Sequence, residues 1–119
     1  MISRKHRFHG YGSLKYVYRN GNTVRGPLFA VKSLHNPRRK SYRLAVVVSR
    51  KVNKSAVVRN HIRRRLYEVV RSLEDQIAEP YDIVITVFHD VVTEESPKKL
   101  ASQVKKQLSQ ANIIGGPKT

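Results

Sequence analysis

The side chains of this 119-residue chain that could do chemistry fall into two unequal sets. The acid–base and metal-ligating set is thin. The five histidines, His6, His9, His35, His61 and His89, are scattered, cysteine is absent, and no HExxH spacing occurs. His89-Asp90 is the one adjacent histidine–acid pair, and it reads as a loop end. His6 and His9 lie near the N-terminus, where they tune charge better than they hold a metal. A self-sufficient nuclease needs a small group of carboxylates around Mg²⁺, or a histidine pair for proton transfer. Asp82 and Asp90 flank an apolar run and Glu94-Glu95 follow it, but their spacing does not gather them. Gly10, Gly12 and Gly21 are too dispersed for a phosphate-cradling loop, and neither GxxxxGK[ST] nor GxGxxG occurs. No catalytic residue and no metal site is expected on this chain.

The second set is rich and suits phosphate. Arg50, Lys51 and Lys54 lead into a segment carrying Arg59, Asn60, Arg63, Arg64 and Arg65. Arginine contacts phosphate through a planar fork and stacks on bases. Asparagine can hydrogen-bond sugar, base or phosphate, and a helix N-terminus adds free N–H donors. Tyr16, Tyr18, Phe29 and Tyr42 lie among these cations and could stack unpaired bases. The competing role for them is core packing, favoured for Phe29 and Tyr42 and evenly balanced for Tyr16 and Tyr18.

Charge is distributed in the same sense. There are 24 Lys and Arg against 8 Asp and Glu, a formal net charge of +16. No acid precedes Glu68, so residues 1–67 carry 18 cations unopposed, while residues 68–119 carry 6 against all 8 acids. Such a half creates a strongly positive field, and nucleic acid is the leading partner. A membrane partner is disfavoured. No apolar run approaches the roughly 20 residues that span a bilayer, and no Trp or Phe anchors accompany the lysines. The N-terminal MISRKHRFHGYG lacks the apolar stretch of a secretory signal. With no cysteine, a reducing, cytoplasmic setting is expected.

These residues need a scaffold, and the periodicity supplies one. Residues 13–113 read as a single domain, with a flexible basic arm over 1–12 and a disordered tail over 114–119. Ser13 can cap a short helix over 14–20, closed by Gly21. Residues 23–34 read as extended, broken by Gly26-Pro27. A basic turn, 35–41, leads to the clearest strand, 42–50, whose near-continuous apolar run suggests a central place in the sheet. These two stretches are expected to pair antiparallel. Lys51 to Ser55 forms a crossover loop, and Ser55 caps a helix running from 56 to about 78, where Pro80 stops it. Val58, Ile62, Leu66, Val69 and Leu73 form its inner face; Asn60, Arg64, Tyr67 and Arg71 lie opposite. Glu68, Glu74, Asp75 and Glu79 stand against the macrodipole preference and are expected to pair with Arg64 and Arg71. Residues 81–88 form a further strand, parallel to 42–50 across the crossover helix. Thr93 or Ser96 caps a last helix with Pro97 in its first turn and Leu100, Val104 and Leu108 inward. The class is α+β, a small mixed sheet packed by helices in the order α-β-β(-β)-α-β-α.

The run from Ser49 to Leu66, SRKVNKSAVVRNHIRRRL, resembles the signature of the bacterial ribonuclease P protein component. The family reads, loosely, S-[RK]-K-x-x-x-x-A-V-x-R-N-[RK]-x-[KR]-R-x-[LI]. Val17 to Gly26 is similar to the family's first helix and following turn, and the resemblance spans about residues 12 to 112. It implies a ribosomal protein S5 domain 2-like fold with a left-handed crossover. It implies the protein subunit of a ribonucleoprotein endonuclease that removes the 5′ leader from precursor tRNA. The RNA subunit would be the catalyst, with Mg²⁺ held mainly by that RNA and the substrate. The partners would be the catalytic RNA and precursor tRNA, with one protein monomer per RNA. Carried across, the RNA-facing positions are Arg50, Lys51, Lys54, Arg59, Asn60, Arg63, Arg64 and Arg65. The leader cleft would use Leu14, Tyr18, Phe29, Val31 and Ser49. Four positions depart from the pattern: His61 and Tyr67 replace basic residues, Lys32 an aromatic, and Leu14 a phenylalanine. The rival readings are a ribosomal-type structural RNA binder, a protein-only nuclease and a DNA-binding module. The first would have no substrate, and the Arg59-Asn60 motif and the aromatic patch, not bulk charge, separate it; the second lacks its carboxylate cluster, and the third a helix-turn-helix pair.

Overall fold

A computed structural model describes His6, Phe8 and residues 11–114. Apart from these two side chains, the start of the first helix and Ile114, the expected arm and tail lie outside the described residues.

The chain runs α1 (Tyr11–Asn20), β1 (Asn22–Arg25), β2 (Phe29–His35), β3 (Arg43–Val47), α2 (Ala56–Ser72), β4 (Tyr81–Val87) and α3 (Pro97–Gln110). Short 3-10 turns follow α2 at Glu74–Gln76 and β4 at Asp90–Thr93. The strands form one mixed sheet in the order β1-β2-β4-β3. The parallel pairing of β3 with β4 across α2 is as expected. The antiparallel pairing of residues 23–34 with 42–50 is not found. The 23–34 stretch folds on itself as the β1–β2 hairpin, and β2 then pairs with β4. β4 takes the central place because it is apolar on both faces: Ile83, Val84 and Ile85 are all fully buried. β3 is left at the edge.

Alternation along the strands separates two faces. Phe29 and Val31 of β2, Leu44 and Val46 of β3, and Ile83, Ile85 and Val87 of β4 join Ile62, Leu66 and Val70 of α2 and Leu100, Val104 and Leu108 of α3 in the main core. On the other face lie Ala30, Lys32, Val84, Thr86 and Val47. α1 packs across β2 and β4 there, burying Val17.

Local chemistry explains the element ends. α1 begins at Tyr11, so Ser13 lies within it and is not its cap. The Ser55 hydroxyl caps α2 by accepting from Val58 N–H at 3.3 Å. α2 stops at Ser72, before the predicted 78, because Leu73 N–H turns back to Val70 O and Glu74 accepts a 2.7 Å hydrogen bond from the Tyr42 hydroxyl. Ser96, not Thr93, caps α3, with Pro97 following. At the end of α3, Asn112 takes a positive φ of 62°. Ile113 N–H reaches Leu108 O and Asn112 N–H reaches Ser109 O, closing a Schellman motif. Ile113 and Ile114 are thereby buried in the core, so ordered packing extends one residue into the expected tail.

Candidate nucleic-acid interface

The crossover loop is held by its own hydrogen bonds. Asn53 Oδ1 accepts from Ser55 N–H at 2.8 Å, which turns the chain into α2. Arg59, one turn into the helix, donates Nη1 to the carbonyls of Asn53 (3.0 Å) and Lys54 (2.9 Å). Asn53 Nδ2 reaches across to Asp90 Oδ2 at 3.0 Å. Arg65 then donates to Val92 O and, at 2.7 Å, to Glu95 O. The loop, the first half of α2 and the turn after β4 are thus tied into one unit.

The eight expected RNA-facing residues divide accordingly. Arg50, Lys51 and Lys54 are exposed and line one shallow hollow at the mouth of α2. Arg64 is exposed on the helix, free of any ion pair among the described residues. Asn60 is exposed and accepts from Arg63 Nη2. Arg59 and Arg65 are half-buried and already hold main-chain carbonyls, so each has a scaffolding role that residue type alone did not reveal. Tyr67 packs against the core, which accounts for an aromatic residue there, while His61 is exposed. Of the expected acid pairings, Arg71 with Glu68 is present at 3.9 Å.

The cleft residues separate differently. Leu14 and Tyr18 lie on α1 and so on that side of the sheet, and Ser49 is exposed just beyond the end of β3. Lys32 joins them, its Nζ 6.0 Å from the centre of the Tyr18 ring. Phe29 and Val31 do not: both are 0% exposed, on the opposite face, under α2 and α3. Their assignment to the cleft is corrected to core. The strip that stays open beside α1 carries Val47, Thr86 and Phe88, and the Arg25 guanidinium lies 4.4 Å over the Phe88 ring. None of these was singled out from the sequence. The alternation of β3 and β4 would have identified Val47 and Thr86, had the inward faces of those strands been known. Tyr42 is also core: it is buried, and His6 stacks on it with ring centres 4.0 Å apart.

Acidic chemistry is muted throughout. Both Asp82 oxygens accept from Arg43, at 2.8 Å each, and Asn36 adds a third hydrogen bond. Among the described residues no group of three His, Cys, Asp or Glu could hold a metal ion, so no residue set here fits Mg²⁺. No helix among them is long and apolar enough to cross a membrane.

A sequence profile of the ribonuclease P family matches residues 2–112. The ribonuclease P protein component of Pseudanabaena sp. (strain PCC 6903) is 30% identical over 116 residues, covering 98% of this chain and 99% of the relative. That of Picosynechococcus sp. (strain ATCC 27264 / PCC 7002 / PR-6) is 32% identical over 115 residues, covering 97% of each. In fold, the chain is similar to the RNase P protein of Staphylococcus aureus, with a TM-score of 0.81 at 22% identity over 92% of this chain and 98% of that one. The Thermotoga maritima RNase P protein gives 0.72 at 22% identity, over 82% and 89%. A match over nearly the whole length, on a chain whose exposed cations gather at the mouth of the arginine helix, leads to one conclusion: this chain belongs to the ribonuclease P protein family.

Proposed function

We propose that this chain is the protein subunit of an RNA-catalysed ribonuclease P, acting in 5′ maturation of tRNA. The mouth of α2, with Arg50, Lys51, Lys54, Asn60, Arg63 and Arg64, faces the phosphates of the catalytic RNA. Arg59 and Arg65 hold that surface in shape and offer their remaining N–H groups to it. The open strip beside α1, with Leu14, Tyr18, Lys32 and Ser49, takes the single-stranded 5′ leader of precursor tRNA. Hydrolysis is the work of the RNA, with Mg²⁺ bound by RNA and substrate. The protein supplies counter-charge and holds the leader, as one monomer per RNA in the cytoplasm.

The observation that carries this reading is the exposed cluster Arg50, Lys51 and Lys54 beside the helix mouth, with its loop already tied down by Arg59. A preformed cationic surface loses little order on meeting a rigid polyanion. The test is reconstitution. Protein alone should leave precursor tRNA intact. A ribonuclease P RNA with Mg²⁺ should remove the leader, and faster at moderate salt when the protein is added. Cleavage by RNA-free protein, or no effect of the protein on the RNA, would overturn the proposal.

A further inference from the structure

α1 crosses the sheet with two tyrosines on opposite flanks. Val17 points down into the sheet, and Tyr16 and Tyr18 follow on either side at helical spacing. Tyr18 overlooks Lys32 and the open strip. Tyr16, 61% exposed, overlooks a different hollow of about 570 Å³. That volume is within the range of small-ligand pockets, roughly 300–1,000 Å³.

The second hollow has the parts of a nucleotide site. Tyr16 forms one wall with an aromatic face that makes no ring contact among the described residues, Leu34 supplies an apolar patch, and His35 and Arg38 stand at the rim. The turn that carries Arg38 is held by its backbone N–H, which donates to Asn36 Oδ1 at 3.3 Å, and its exposed guanidinium makes no ion pair among the described residues. Arg39 and Lys40 follow on the same exposed turn. The floor is the buried Arg43–Asp82 pair, with the Phe8 ring over the guanidinium; the carboxylate is neutralised by Arg43 and also accepts from Asn36, and so does little to repel an anion. One acid does stand nearby: Glu79 Oε1 lies 3.3 Å from His35 Nε2, facing solvent. A base stacked on Tyr16 would place its phosphate towards Arg38, the combination that single-stranded RNA offers and a stacked duplex does not.

We infer that the hollow bounded by Tyr16, His35 and Arg38 is a second nucleotide subsite, taking one unpaired base and its phosphate from single-stranded RNA. It lies on the flank of α1 opposite the strip assigned above to the leader, and it rests on the reading of this chain as an RNA binder. The full chain should bind a short oligouridylate, and Tyr16→Leu should weaken that binding about fivefold or more. Tyr16→Phe should restore it, because stacking needs the ring and not the hydroxyl. Arg38→Gln should also weaken it. Duplex RNA of equal length should be insensitive to Tyr16→Leu. An oligonucleotide carrying 5-iodouridine should photo-crosslink to Tyr16. The inference is overturned if Tyr16→Leu changes neither affinity nor crosslinking, or if it weakens duplex and single strand equally. Failure of the catalytic-RNA reconstitution with the unaltered chain would instead remove the proposed function, and that result is read independently of oligouridylate binding.

Discussion

Arg43 and Asp82 stand at paired positions of the parallel strands β3 and β4, and their side chains close a bidentate pair, Nε to Oδ1 and Nη2 to Oδ2, both at 2.8 Å. They are 5% and 2% exposed, and the Phe8 ring lies 4.6 Å from the guanidinium carbon. A buried pair of this kind does more for register than for net stability. Sliding β3 by one residue would set Arg43 against an apolar neighbour of Asp82.

Breaking the Arg43–Asp82 pair from one side leaves an uncompensated charge in the sheet. Arg43→Met or Asp82→Leu alone should cost about 3–5 kcal/mol of unfolding free energy. The double variant should recover most of that loss, because an apolar pair needs no partner. Urea unfolding of the three variants checks this; additive losses would show that the two residues do not act as a pair.

Arg64 and Arg65 are neighbours with different duties. Arg64→Ala should weaken binding to the catalytic RNA and make the slope of log K against log salt shallower by roughly one unit. Arg65→Ala should instead free the carbonyls of Val92 and Glu95 and speed amide exchange through residues 90–95. Its effect on the slope should be smaller. Matching slopes for the two variants would mean that Arg65 meets phosphate despite its carbonyl contacts.

Tyr18 and Phe29 were both candidates for the leader cleft, and they should now behave oppositely. Tyr18→Ala, at a site 39% exposed, should reduce affinity for leader-bearing precursor by about 1–3 kcal/mol and spare mature tRNA. Phe29→Ala should lower folding stability by about 3–5 kcal/mol through a core cavity. Measured on protein that remains folded, Phe29→Ala should not discriminate between precursor and mature tRNA.

Tyr42 gives a pH dependence with a definite sign. Burial, then the hydrogen bond to Glu74 and the charge of that carboxylate, hold its phenol well above the usual tyrosine range. The folded state therefore keeps this proton after the unfolded chain has released it. The stability it confers is complete below the unfolded value, about pH 10, and declines as pH rises beyond that. Replacing Tyr42 by Phe should remove this component of the alkaline decline. Denaturant midpoints measured between about pH 9 and 11 should converge for the two proteins; parallel curves would contradict the assignment.

Much of the architecture is legible in local sequence. The caps at Ser55 and Ser96, the break at Gly26-Pro27 and the inward stripes of α2 and α3 all depend on neighbours within a turn or two. Sheet order was not legible. Residues 42–48 and 81–87 are similar apolar runs, and only packing on both faces shows that β4 is central and β3 marginal. The early stop of α2 also needed the fold, because Tyr42 holds Glu74 from 32 residues away.

The candidate site divides along the same line. The sequence by itself determined where the charge lies: an acid-free stretch of 67 residues and a cationic run before Leu66 are facts of composition and order, and no fold can neutralise them. Which cations remain free was decided by tertiary structure alone. Arg59 and Arg65 meet carbonyls brought to them by the loop and by the turn after β4. Phe29 and Tyr18 carry similar rings, but the parity of β2 sends one into the core, and the placement of Val17 leaves the other at the surface. Residue type sets what a side chain can bind; long-range packing sets whether its partner is the protein itself or a ligand.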